Sequence, residues 1–283
     1  MGQNHTNQQM MPNKLTDHMV TGAEFSLIWE QSIKAYKTEP RPKDLSPFYD
    51  HPDYISHNEK ATGLMAGVYR LVRNYNIRLK LNWLKSARPP GGNLLDYGCG
   101  TGDFLSAAKK KNWNSFGVEV NKQARVFAQE KGLTIYPNQE EIASLTYDAI
   151  TLWHVLEHLE NPTNMCRWFK DQLSSKGVLI VAVPNYRSWD AKFYKQYWAA
   201  YDVPRHLWHF SKQSIDALFG KDFELIQTHP MWFDAIYVSL LSERYKKNRG
   251  NMLRGIIVGI WSNLCAVFTK EPSSMAYVLK KRY

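Results

Sequence analysis

Three groups of side chains in this sequence have the types and spacing to do chemistry. The first is Asp96-x-Gly98-x-Gly100-x-Gly102, inside the run Asn93-Leu94-Leu95-Asp96-Tyr97-Gly98-Cys99-Gly100-Thr101-Gly102-Asp103. A short apolar strand meets an acid, a glycine-rich turn and a helix start, an arrangement that presents backbone N–H groups to a nucleotide-like ligand. Glycine lets the backbone turn sharply and approach a ligand where a Cβ would collide. The second group is Glu119, which ends a second apolar run at Ser115-Phe116-Gly117-Val118 and lies 17 residues after Gly102. An acid about 20 residues past a glycine loop can take ribose hydroxyls, and the two oxygens of a carboxylate suit a vicinal diol. The third group is Trp153-His154-Val155-Leu156-Glu157-His158, with Asp202-Val203-Pro204-Arg205-His206 further along. His154, Glu157 and His158 stand at i, i+3 and i+4, so one helical turn puts them on one face. Three uses are open to them: a cluster that orders a loop, a general base, or a metal site. The H-x-x-E-H spacing also matches a zinc-protease signature, but that motif needs a long helix and a third ligand.

The spacing of the glycines separates nucleotide devices from one another. The dinucleotide fingerprint G-x-G-x-x-G is absent here, as is the G-x-x-x-x-G-K-[ST] loop for a triphosphate. Asp-x-Gly-x-Gly-x-Gly resembles motif I of the class I S-adenosylmethionine (SAM) methyltransferases. Trp153 to Pro162 is similar to the segment "hvLEHl.dP" of such enzymes, ubiquinone-type O-methyltransferases among them, and Asp202 to Ser211 to the "D.PrHl..Fs" segment of the subgroup labelled type 23. The resemblance covers residues 45–230 and, loosely, a strand at 275–281. It implies SAM as cofactor and S-adenosylhomocysteine as product. The cofactor would be held by Asp96, Gly98, Cys99, Gly100, Thr101, Gly102, Glu119, Val120, Trp153 and His154. It also implies methyl transfer to a small-molecule acceptor, with an oxygen nucleophile as the first expectation and His158 or His206 as its base. Some ubiquinone-type relatives carry E-x-x-E-H and bind a divalent ion; this chain has His154 in place of the first acid, and no metal is expected. The paired cysteines that relatives carry near the N-terminus are missing around Leu27 to Tyr36, so no metal knuckle is expected there either. A non-catalytic SAM-binding scaffold and a nucleotide-dependent oxidoreductase are the alternatives, the second opposed by the glycine spacing.

These groups need elements to position them. After Arg88-Pro89-Pro90-Gly91-Gly92, apolar strands and amphipathic helices alternate, which implies an α/β Rossmann-like sheet with helices on both faces. Seven strands are expected, near 94–97, 115–120, 133–136, 148–153, 177–183, 223–228 and 275–280, mostly parallel with the last antiparallel. Residues 91–283 form the SAM domain, with a helical insertion at 231–272. Residues 1–20 are expected to be a disordered leader without a signal peptide, and 21–90 an N-terminal extension, largely helical, with one helix over 61–85. Residues 25–29 can form a strand, and 48–57 an aromatic, histidine-bearing loop. Met252 to Phe268 is strongly apolar and reads as a buried or interfacial helix. Its expected fate is packing on the protein as a roof over a hydrophobic acceptor. Packing on a second subunit and peripheral membrane contact through 244–268 are the other options, the latter since five basic residues precede or open it. The three scattered cysteines suit a cytoplasmic protein. A net charge of +10 permits acidic partners. Nucleic acid is not expected, because no Asn/Asp-Pro-Pro-aromatic motif follows the fourth strand.

Overall fold

The computed structural model describes residues 12, 14–49, 64–142, 145–246 and 250–282. In chain order these form β1 (Leu15–Thr16), β2 (Glu24–Glu30), β3 (Ala35–Glu39), α1 (Leu64–Ala87), β4 (Asn93–Tyr97), α2 (Asp103–Lys109) and β5 (Asn114–Val118). Then come α3 (Lys122–Glu130), β6 (Thr134–Tyr136), β7 (Tyr147–Trp153), α4 (Pro162–Gln172), β8 (Leu173–Pro184), α5 (Trp189–Tyr194) and β9 (Trp208–His209). The chain ends with α6 (Lys212–Phe219), β10 (Phe223–Pro230), α7 (Trp232–Lys246), α8 (Met252–Thr269) and β11 (Ser274–Lys281).

Seven strands make the main sheet, in the order β10-β11-β8-β7-β4-β5-β6. β11 runs antiparallel to both its neighbours, and the pairs from β8 to β6 are parallel. This is the Rossmann-like sheet that the alternation predicts. From β4 the chain goes first to β5 and β6 on one side, then to β7 and β8 on the other, so the strand order reverses at β4. The crevice beyond the carboxyl ends of the strands at such a point is where α/β sheets take ligands. The central strands are apolar along their length because helices cover both faces: Val178 to Val183 of β8 are all buried. Helix starts follow local chemistry. The Asn161 side chain accepts the Asn164 N–H ahead of Pro162 in α4, and Ser211 and Ser214 cap α6 reciprocally.

A second, four-stranded sheet departs from the expected N-terminal half. β1, β2, β3 and β9 pair antiparallel in that order. The leader expected over residues 1–20 therefore contributes a strand at Leu15–Thr16, and the extension holds a hairpin ahead of its long helix α1. The hairpin forms because β2 and β3 bury Phe25 and Tyr36 on one face and Ala35 on the other. Its partner β9 lies 169 residues beyond the end of β3, which no local pattern reveals. Most of the aromatic loop expected at 48–57 lies outside the described residues.

The insertion is a helical hairpin, α7 and α8. Gly255 and Gly259 let the two backbones touch: a Cβ on Gly259 would stand 2.5 Å from Ile236 Cα, and one on Gly255 3.0 Å from Leu240 Cα. Only one side of α8 is packed, through Gly255, Val258, Gly259, Ser262 and Ala266. The expected roof is thus covered on its small-residue side, and its large apolar side chains face outward.

Candidate functional site

The parallel register sets the first part of the site. Asp96 pairs with Gly117 of β5 and with Thr151 of β7, so the carboxyl ends of β4, β5 and β7 lie side by side. The glycine turn leaves β4 there. Gly98 adopts φ 76°, and a Cβ on it would come within 2.5 Å of Val155 Cγ2, so the loop after β7 presses directly on the glycine turn. A Cβ on Gly100 would meet nothing within 4 Å. That peptide faces open space, as the wall of a ligand groove must. Glu119, just past the end of β5, reaches under it: Oε2 accepts the Gly100 N–H at 2.8 Å and Oε1 the Asn121 N–H at 2.8 Å. Two backbone donors thus orient the carboxylate while its remaining lone pairs can take hydroxyls. Val120 beside it is 79% exposed. An apolar side chain bare at the edge of a groove is a surface for a flat ring.

The other residues expected around a cofactor fall into different surroundings. The Cys99 thiol is buried against the β5 backbone at Gly117, and burial pushes its pKa up, so it serves the core and only its backbone lines the turn. Thr101 lies at the start of α2, its carbonyl taken by Lys131 Nζ at 2.7 Å. Asp96 is buried and accepts the Thr151 hydroxyl at 2.6 Å. Burial pushes its carboxyl up to about 7, against the opposing pull of Thr151 and Lys80. The Trp153 ring, at the end of β7, packs edge-on against Phe104, and its indole N–H has no partner among the described residues. Lys80 of α1 stands over that ring, 4.5 Å from its centre. Burial lowers the Lys80 pKa, while Asp96 and Asp234 act to raise it. The sequence reading missed Lys80. The one available signal is its place four residues before Leu84, on a helix whose Arg70, Arg78 and Lys85 are exposed.

The histidines form a second cluster. His154, with φ 60°, is clamped by two carboxylates: Nε2 is 3.0 Å from Asp234 Oδ2 of α7, and Nδ1 is 3.3 Å from Glu157 Oε1. Burial would lower its pKa, but these two acids outweigh it and raise the imidazole to about 10. It is an imidazolium pinned in an ion triad. Burial likewise works against the Glu157 charge, and His154 reverses that, holding the carboxyl below its usual range. His158 and His206 lie edge to face, with ring centroids 4.7 Å apart. His158 Nδ1 is 2.9 Å from the Arg205 carbonyl and His206 Nδ1 is 2.9 Å from the Ala200 carbonyl. A carbonyl can only accept, so each ring carries a hydrogen on Nδ1. Burial, then His206 beside it, pull His158 down to about 4, so it is neutral near pH 7. Asp202 Oδ2 stands 3.9 Å from His206 Nε2.

This cluster rests on the second sheet. Thr38 of β3 donates its hydroxyl to the His206 carbonyl at 2.7 Å, and its N–H to the Leu207 carbonyl at 3.0 Å. Buried Arg205 forks onto Asp202 and lies 3.7 Å from Asp17, just after β1. The Leu207 N–H reaches the Glu157 carbonyl at 2.8 Å, which joins the two motifs. Glu157, His158 and His206 each place one donor atom within 4.8 Å of the others, close enough for a cation by distance. Glu157 Oε1 has the His154 imidazolium as its counter-ion, and its Oε2 is buried with no partner among the described residues.

A family model described as a methyltransferase domain matches residues 69–228. The ubiquinone biosynthesis O-methyltransferase of Aeromonas salmonicida is 28% identical over 133 residues, which is 43% of this chain and 56% of that one. Its counterpart in Actinobacillus pleuropneumoniae serotype 7 is 31% identical over 109 residues, 34% of this chain and 47% of that one. The chain thus spans about half the length of the curated relatives it matches. Among solved structures, a magnesium protoporphyrin IX methyltransferase from Synechocystis PCC 6803 superposes with a TM-score of 0.53 at 13% identity. That match covers 78% of this chain and 89% of the other. A cyclopropane synthase from Mycobacterium tuberculosis gives 0.51 at 16% identity, over 72% and 83%. At these identities the two structures speak for the fold.

Proposed function

Because the chain belongs to the SAM-dependent methyltransferase family, we propose that the methyl group it transfers goes to the oxygen of a small hydroxylated acceptor, with His206 as the base. The observation that carries this reading is the imidazole pair, edge to face with centroids 4.7 Å apart, each ring oriented by a main-chain carbonyl on its Nδ1–H. SAM is already activated, so transfer is an in-line displacement in which the acceptor oxygen takes the methyl and S-adenosylhomocysteine leaves. The protein mainly supplies position and excludes water. A hydroxyl is a poor nucleophile until its proton is leaving, so a base helps oxygen acceptors in particular. His158 is too weakly basic for this and serves to orient the acceptor. His206 has Asp202 at 3.9 Å to stabilise the imidazolium that forms. The similarity to ubiquinone biosynthesis O-methyltransferases favours oxygen as the acceptor atom.

On the cofactor side, Glu119 takes the ribose hydroxyls and Val120 packs on the adenine. Asp96 and Lys80 face the ammonium and carboxylate of the amino-acid tail, and the glycine turn passes beneath it. The test is a panel of hydroxylated aromatics, amines and carbon acids, read by S-adenosylhomocysteine formation. Hydroxylated acceptors should turn over, and His206→Asn should lower kcat by roughly a hundredfold or more while SAM affinity stays put. Turnover confined to amines, or full activity in His206→Asn, refutes the assignment.

A further inference from the structure

α8 presents a face that no described residue covers. Leu253 (68% exposed), Ile257 (58%), Trp261 (53%), Leu264 (51%) and Phe268 (85%) recur at helical spacing and form one stripe, opposite the seam of Gly255, Gly259, Ser262 and Ala266. The stripe exposes on the order of several hundred Å² of apolar surface, more than scattered hydrophobic residues on a soluble monomer account for. α8 carries no acid, and its single charge, Arg254, pairs inward with Glu243 at 3.2 Å. Exposed Arg244 and Lys246 stand at the end of α7, and exposed Lys270 stands past the far end of α8. The sequence of the link adds Lys247 and Arg249.

We propose that this face docks on a lipid bilayer bearing anionic headgroups, with α8 lying in the plane of the interface. Charge complementarity selects the occupant. Basic residues at both ends of an acid-free apolar stripe match headgroups around an acyl layer. A second copy of the chain laid face to face would set the same cations against one another. The helix is long and apolar enough to cross a membrane by length and composition. It is nevertheless tied down along its inner side, by Ser262 to buried Asp190 at 2.7 Å, by Asn263 to the Trp232 carbonyl at 2.8 Å and by the glycine seam. It therefore lies on the membrane and does not span it. The seam also explains how the hairpin keeps its shape there: small residues let backbones pack closely without needing water to drive large side chains together.

The experiment is flotation of the full chain with vesicles of phosphatidylcholine alone and of phosphatidylcholine mixed with phosphatidylglycerol. The variant is Ile257→Glu/Trp261→Glu/Phe268→Glu, whose positions are exposed, so that melting temperature and SAM affinity should match wild type. Wild type should float with the mixed vesicles, several-fold less with neutral ones or in high salt, and the variant should lose about tenfold or more of its partitioning. Wild type that stays in the aqueous phase, or a variant that floats equally well, overturns the proposal. So does a wild-type dimer in sedimentation velocity that the same variant dissociates, because the face is then a subunit interface.

Discussion

Glu119 is the residue on which cofactor affinity should depend most directly. Its carboxylate is oriented by the Gly100 and Asn121 N–H groups. Glu119→Ala should therefore cost SAM about 1.5–3 kcal/mol, or roughly ten- to hundredfold in Kd by calorimetry, while the melting temperature of the free protein changes little. Asp96 sets a pH dependence. Its buried carboxyl titrates near about 7, so ionisation is incomplete at pH 6 and nearly complete at pH 8. An ammonium binding there needs the charged form. SAM should bind more tightly at pH 8 than at pH 6 in wild type, and with no such slope in Asp96→Asn. For His154 the sign is opposite. Its folded value is raised from 6.5 to about 10, so its contribution to stability is fully present below about pH 6.5 and fades as pH rises through about 10. The melting temperature of His154→Gln should fall furthest below wild type near pH 6 and converge with it near pH 10.

At the scale of elements, α7 connects the candidate cofactor groove to the outer surface. Asp234 near its first turn holds His154, and its far side carries α8. The contact between α7 and α8 has no room for a side chain at Gly259, where the nearest atom to an added Cβ is backbone and cannot swing aside. Gly259→Ala should destabilise the protein by about 1–3 kcal/mol, seen as a fall in melting temperature. A Gly259→Ala protein that melts with wild type would show that the two backbones separate freely.

Across the whole molecule, two sheets meet at His206. The seven-stranded sheet supplies the cofactor groove, and the N-terminal hairpin with β9 holds the segment bearing His206, through Thr38 and the Asp17–Arg205–Asp202 ion cluster. Removing residues 1–40 deletes β1 to β3 and leaves every strand of the main sheet in place. The truncated chain should still bind S-adenosylhomocysteine by calorimetry and should lose turnover. Loss of both together would show that the small sheet supports the whole fold.

The candidate cofactor half of the site was legible in the sequence because its determinants are local. A strand, a glycine turn and a helix sit within about a dozen residues, and an acid follows one βαβ unit later, so chain connectivity alone brings Asp96, Gly98, Gly100 and Glu119 together. The apolar run of β8 and the caps at Asn161 and Ser211 were legible for the same reason. The pairing of β3 with β9 is a contact between distant segments, and no periodicity encodes a partner. Cys99 could be placed in the turn from its neighbours, but that its thiol turns into the core is a matter of packing. Lys80 and Asp234 look like ordinary surface charges on helices; only tertiary structure sets one over Trp153 and the other against His154. The apolar run in α8 was plain from composition. Which of its faces is covered depends on the α7 backbone fitting against Gly255 and Gly259, a question of shape that only the folded chain decides.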